Sequence, residues 1–371
     1  MRKKGYTVAL ALCIFLLLFG TVRVAAATSS AKEPTEYVDD FANALPPELS
    51  DVGDAIKEGK LSEISDMAFL SSFLFDSLGN GFSSLRGQFS TLLLLLLLIA
   101  LSATVKPDGK SGNAVELGVI VVAATVLYRS LYTVTLRVGA YLDDLCFLAN
   151  TAMPVMSVLQ TAGGNITGAA IGANGMTYFL LLLENLCRSV LLPLTNVSFG
   201  FVAVDALGRE LSVGGILKTV RHLYMSILGF FSTLLCASLG MQNALGTASD
   251  SLLFKGARYA VGNLIPVVGG VVSNTLQTAA ASILMLKQSV GVGCAVAILL
   301  LTLPLFLELF LTRTLISLSA GVSEMMDAPR ANTLFVNLRG IYDMLIAMTL
   351  LPSLIFLFLT ALFARTACAT A

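Results

Sequence analysis

The chain has 371 residues, 56% of them apolar and only 12% charged, with a formal net charge of zero and a mean hydropathy of +0.85. A soluble domain carries about twice that charged fraction. The composition therefore excludes an ordinary soluble globule and points to an all-α, polytopic helical membrane protein. No basic excess marks a nucleic-acid partner.

The chain opens with Arg2, Lys3 and Lys4, an apolar core from Val8 to Phe19, and Ala25-Ala26-Ala27. A basic start, a short apolar core and a small-residue end have the form of a secretory signal peptide over residues 1–27. A retained first membrane helix is the competing reading, although the core is short for a span. Either way, the following region starts outside the cytoplasm.

Residues 28–88 form an acidic extracytoplasmic region with eleven acidic and four basic side chains, against twelve and fifteen in residues 89–371. After Pro46-Pro47, apolar residues from Leu49 to Leu74 recur at near-helical spacing with acids between them. About sixty residues build a core poorly on their own. The region is expected either to pack on the membrane face or a partner, or to be a solvated linker with one helix.

The membrane domain is expected over 89–371. Phe89–Val105, with the seven leucines Leu92–Leu98, is the plainest span. A turn at 106–110 leads to a second span from Val115 to Leu127, then to an amphipathic stretch, 130–150, carrying Arg137, Asp143 and Asp144. Further apolar runs follow, for five to eight spans after the leader. Polar turns separate them, among them Lys218–His222 and Asp327–Arg330. Arginines fall on so many connections that the positive-inside rule leaves the topology open.

Two apolar stretches are interrupted by Gly and Pro. One is Met153–Gly175, with Pro154 near its start. The other runs from Lys255 to Gly293, with Pro266 in its middle and Gly269 and Gly270 just after it. Proline removes a backbone donor and clashes with the preceding turn. At membrane depth the freed groups must be satisfied by protein or a wet cavity. Both stretches are expected to be broken, re-entrant or surface-lying helices. Replacing Pro266 by Leu, or Gly269-Gly270 by Leu-Leu, is expected to abolish function with insertion intact.

Leu159-Gln-Thr-Ala162 recurs as Leu276-Gln-Thr-Ala279, and Arg221-His-Leu-Tyr224 resembles Arg339-Gly-Ile-Tyr342. Together these point to an internal repeat over 137–245 and 254–363. Chance matching in low-complexity apolar sequence is the competing reading. Paired broken segments in two halves are a pointer to a transport path; a purely structural role is the alternative.

The search for reaction chemistry gives no catalytic, cofactor or metal assignment. Six cysteines are scattered singly, and the single histidine, His222, sits in a polar connection. There is no Walker sequence and no dinucleotide fingerprint. The charge candidates within apolar runs are Glu184 with Arg188, four residues apart and able to pair on one helix face, and Glu308, followed by Arg313. Such charges cost a few kcal/mol in a membrane, so they face the protein interior. They read either as a polar lining or as helix-end acids paired with their arginines.

KGARYAVGNLIPVVGGVVSNTLQT followed by MLKQSVGVGC resembles the stage III sporulation protein AE family of endospore-forming bacteria. The resemblance rests on Ile265-Pro266-Val267-Val268-Gly269-Gly270 and on Lys287-Gln-Ser-Val290-Gly291, with Ala328-Pro329-Arg330 as a fitting downstream turn. It implies a non-enzymatic membrane component of a mother-cell-to-forespore channel or secretion-like complex. That complex sits in the mother-cell-derived membrane around the forespore and sustains late forespore gene expression. The implied partners are sister proteins, including an ATPase and ring-forming subunits, and the lipid bilayer. The alternative is a stand-alone permease-like transporter of a small solute.

Overall fold

A stripe of apolar residues at alternating three- and four-residue spacing builds the central helix of this chain. Ile120, Ala124, Leu127, Leu131, Val134 and Val138, continuing through Tyr141, Leu145, Leu148, Ala152, Val155 and Leu159, are all buried. A sustained 3.5-residue period keeps one seam facing its neighbours over a long distance, as in coiled coils. The computed structural model describes residues 34–45, 50–58, 86–102, 110–162, 181–208, 213–234 and 269–365, with positions 79 and 237 in isolation. Among them every regular element is helical: α1 (Pro34–Ala44) and α2 (Ser50–Glu58), α3 (Arg86–Ser102), α4 (Lys110–Ala162), α5 (Leu181–Leu207), α6 (214–234), α7 (Gly269–Met325) and α8 (Pro329–Arg365).

Four of these helices, α4, α5, α7 and α8, are long and apolar enough to cross a membrane, and α3 is a shorter apolar helix. The chain is thus an all-α, multi-pass membrane protein. At 1.5 Å per residue, α4 and α7 run for about 80 Å or more, well over twice the roughly 30 Å of bilayer hydrocarbon. The stretches 115–127 and 130–150, expected as a span and a separate amphipathic segment, are one continuous helix, because the buried stripe runs through both without a break.

The core is the α7–α8 hairpin with α4 and α5 against it. On α8, Leu334, Leu338, Ile341, Leu345, Met348, Ile355 and Leu359 make a second buried stripe of the same period. The stripe of α7 includes small polar residues: Thr302, Thr312, Ser319 and Ser323 are buried beside Ile298, Leu305, Leu309 and Ile316. Small side chains let helices approach closely where lipid supplies no hydrophobic drive.

The α7–α8 turn has a defined chemistry. Ala328 N–H donates to Ser323 O and Asp327 N–H to Glu324 O, both at 3.1 Å, with Asp327 at φ 52°. This is the paired bonding of a Schellman motif, with aspartate at the left-handed position it tolerates better than most residues. Pro329 then opens α8, where a missing N–H costs nothing. The polar turn expected at Asp327–Arg330 falls here.

The Gly/Pro stretches divide. Gly269 through Gly293 is unbroken helix, with Gly269 and Gly270 as its first residues, and Pro154 lies inside α4, which continues to Ala162. Pro154 and Pro304 sit on exposed faces of their helices, where the ring has room and the hydrogen bond is lost at the surface of the bundle. Pro266, the rest of the stretch up to 268, residues 163–175 and the leader over 1–27 lie outside the described residues.

The acidic region contributes α1 and α2. Phe41, Val52 and Ile56 are buried, with α1 against α4 and α2 against α7. A Cβ on Gly53 would lie 2.7 Å from Ala42 O, so glycine is what allows these two short helices to touch.

Candidate functional site

A belt of arginines and carboxylates ties the helices of the bundle together. Arg137 of α4 donates from Nη1 to both oxygens of Glu308 on α7, at 2.5 and 2.6 Å. Asp343 of α8 accepts from two helices at once: Arg313 Nε at 2.9 Å and Arg221 Nη2 of α6 at 2.5 Å. Thr312 donates to Gln88 Oε1 of α3 at 2.8 Å. Arg339 Nη1 reaches Ser317 Oγ at 3.3 Å. Two neutral ties continue the belt: Tyr141 and Thr302 share a hydrogen bond of 3.1 Å, and Tyr224 donates to Met344 O at 3.1 Å.

The sequence explains why the belt forms here. Arg137, Glu308, Arg313 and Asp343 each interrupt an apolar helix that packs against the next, so each is carried to an interhelical seam. The carboxylates are the more enclosed partners, with side-chain exposure of 10% for Glu308 and 19% for Asp343, while Arg137 and Arg221 keep nearly half of theirs. Long arginine stems let the charge reach water while the carboxylate stays inside. Arginines outnumber carboxylates along these seams: Arg137, Arg221, Arg313 and Arg339 against Glu308 and Asp343.

A second polar level lies toward the α7–α8 turn. Arg330 Nη1 donates to Glu116 Oε2 of α4 at 3.2 Å. Asp205, near the end of α5, accepts from the Gly214 N–H that opens α6 and from Asn337 Nδ2 of α8, each at 2.8 Å. A carboxylate over a helix N-terminus is favourable for both charge and hydrogen bonding, and here it also locks the α5–α6 hairpin to α8.

The other charge candidates form different pairs from those their spacing permits. Arg188 pairs with Asp143 of α4, and Glu184 faces the Cys146 thiol. Arg188 lies in a π-turn, Cys187–Leu191, with Leu192 N–H bonded to Cys187 O. Arg313, likewise, turns to Asp343 rather than to Glu308.

The remaining motif residues serve packing. Lys287 is fully buried in α7, its ammonium 5.4 Å from the Phe363 ring centroid, a cation–π geometry. A Cβ on Gly291 would stand 2.8 Å from Ala364 Cβ. Both contacts are to α8, so the K-x-x-V-G pattern is the seam of the α7–α8 hairpin. His222 is exposed. Cys146, Cys187 and Cys294 are buried, free thiols, and no group of three metal-binding side chains occurs among the described residues.

Arg221 and Asp343 were not visible as partners in the sequence. Their signal was available: Asp343 is the lone acid in an apolar run, IYDMLIAM, and such a residue requires a cation. Nothing local says which arginine supplies it.

Comparison with known proteins covers the same helices. The family described as stage III sporulation protein AE matches residues 49–367. The stage III sporulation protein AE of Bacillus subtilis (strain 168) is 20% identical over 357 residues, covering 92% of this chain and 88% of that protein. No solved structure matches.

Proposed function

The chain belongs to the stage III sporulation protein AE family, and from that premise we propose that it is a non-enzymatic core subunit of a mother-cell-to-forespore channel or secretion-like complex. The observation that carries this reading is the extent of the match: the family covers 49–367, the whole run of helices from α3 to α8 together with the belt. The proposed location is the mother-cell-derived membrane around the forespore, with residues 28–88 outside the cytoplasm. The proposed partners are sister subunits, among them an ATPase and ring-forming proteins. Energy from ATP would enter through that partner, since the sequence carries no nucleotide motif of the Walker type.

Surface chemistry supports an assembled role over a solitary one. Large apolar side chains are exposed along the full length of the bundle, from Leu93 and Leu97 on α3 to Met285 on α7 and Phe358 on α8. Apolar surface taller than one bilayer calls for cover by protein as well as lipid. The test is to tag the full chain in sporulating cells, isolate it in mild detergent and, separately, reconstitute it alone in liposomes. Co-purification of an ATPase and ring-forming subunits, with inert liposomes, is the expected result. Solute uptake by the chain alone would replace this reading with the permease-like one.

A further inference from the structure

A cavity of about 360 Å³ opens where the N-terminal end of α3 meets α4, α7 and α8. Its lining includes Gln88, Arg129, Ser130, Arg137 and Tyr342 with three threonines, Thr91, Thr133 and Thr312, and no carboxylate lines it. Glu308 engages Arg137 through Nη1 alone. Arg129 makes no ion pair among the described residues. The cavity therefore carries net positive charge and an available guanidinium, a combination that suits a phosphate oxyanion.

Three features place this cavity at the edge of a bilayer. The 17 described residues of α3 run about 25 Å, close to the hydrocarbon thickness, and its first turn, at the cavity, is polar, with Arg86 and Gln88. Exposed apolar side chains run the length of α3 from the cavity end, Phe89, Leu93, Leu94, Leu97 and Leu101, a path for acyl chains. Tyr128 and Tyr132 flank Arg129, are both exposed, and lie with ring centroids 6.3 Å apart. Paired tyrosines of this kind gather at headgroup level.

We propose that this cavity holds the phosphate of an anionic phospholipid, with Arg129 as the principal contact and the acyl chains lying along α3. Basic pockets between membrane helices bind anionic headgroups in this way. A bound lipid would bridge α3 to the belt and make the seating of α3 depend on membrane composition.

The test uses the full chain purified in detergent and exposed to mixed micelles of phosphatidylglycerol or phosphatidylcholine, with retained lipid read by native mass spectrometry. A parallel arm offers inorganic phosphate as competitor. Phosphatidylglycerol should be retained in preference to phosphatidylcholine. Arg129→Gln should lower that retention by roughly tenfold, the loss expected for one charge-assisted hydrogen bond. Arg188→Gln, outside the cavity, should leave it unchanged and controls for general loss of positive charge. Equal retention of the two lipids, or full retention by Arg129→Gln, overturns the proposal. Displacement by inorganic phosphate without any lipid preference also overturns it, by assigning the cavity to a free anion.

Discussion

The two halves of α8 are held in the bundle by different means. Residues 329–344 carry Arg330, Asn337, Arg339 and Asp343, and each is bonded to another element: α4 through Glu116, α5 through Asp205, α7 through Ser317 and Arg313, and α6 through Arg221. From Leu345 to Ala364 there is no ionisable residue. Thr349, Ser353 and Thr360 turn their hydroxyls to carbonyls of their own helix, and the contact with α7 is made by Gly291 against Ala364 and by Lys287 over Phe363. The first half selects partners by direction and charge. The second sets distance by size. In lipid, where apolar helices gain nothing by merely leaving water, the first mechanism specifies which helices meet and the second how closely.

The largest effect is expected where the two mechanisms meet the most helices. Asp343→Ala removes the one carboxylate shared by α6 and α7 and leaves Arg221 and Arg313 facing each other across the vacated site. Breaking an enclosed ion pair from one side costs about 3–5 kcal/mol, and the partial exposure of both arginines brings the expectation to about 3 kcal/mol or less. Thermal unfolding of the purified chain in detergent should show this as the largest loss of any single belt substitution. Asp343→Asn, which keeps hydrogen-bonding capacity, should recover part of it. An unchanged midpoint for Asp343→Ala would mean that the belt does not fix the first half of α8.

The sequence carried much of this division and hid the rest for a physical reason. The apolar stripes are legible: the spacing of Ile120 to Leu159 and of Leu334 to Leu359 can be read directly, and it fixes long, seam-packed helices. That regular period, and not Pro154, decides the fate of α4. Proline costs one hydrogen bond, while the stripe adds buried contacts on both sides of it, so the helix runs through. In the same way Gly291 reads as a helix breaker in isolation but is a helix-contact residue once Ala364 is opposite it. The ion pairs are the less legible part. Glu184 and Arg188 stand at pairing distance along an ideal helix, yet Arg188 pairs with Asp143 of the neighbouring α4. Pairing across helices depends on which seams form, information that no local window contains.

The second half of α8 can be challenged by size alone. Gly291→Ala places a methyl group 2.8 Å from Ala364 Cβ, where either helix must shift. Overpacking of this kind costs about 1–3 kcal/mol, and the expected loss is near the middle of that range. Ala364→Gly in the same chain removes the opposing methyl and should restore most of the stability. A double-mutant cycle on the unfolding midpoint measures the coupling. Additive losses would show that Gly291 is tolerated for reasons other than the approach of α8.

The smallest effect should come from the pair that resembles the belt in composition but not in setting. Arg188 and Asp143 have side-chain exposures of 56% and 41%, against 10% for Glu308 and 19% for Asp343. An exposed pair exchanges protein contacts for solvent contacts at little gain, typically under about 1 kcal/mol. Arg188→Gln should therefore shift the unfolding midpoint only slightly, and the shift should shrink further as salt is raised, since screening acts on exposed charges first. The Asp343 substitutions should keep their effect over the same salt range. If the two respond to salt alike, enclosure is not what separates them, and the contrast between the belt and the bundle surface fails with it.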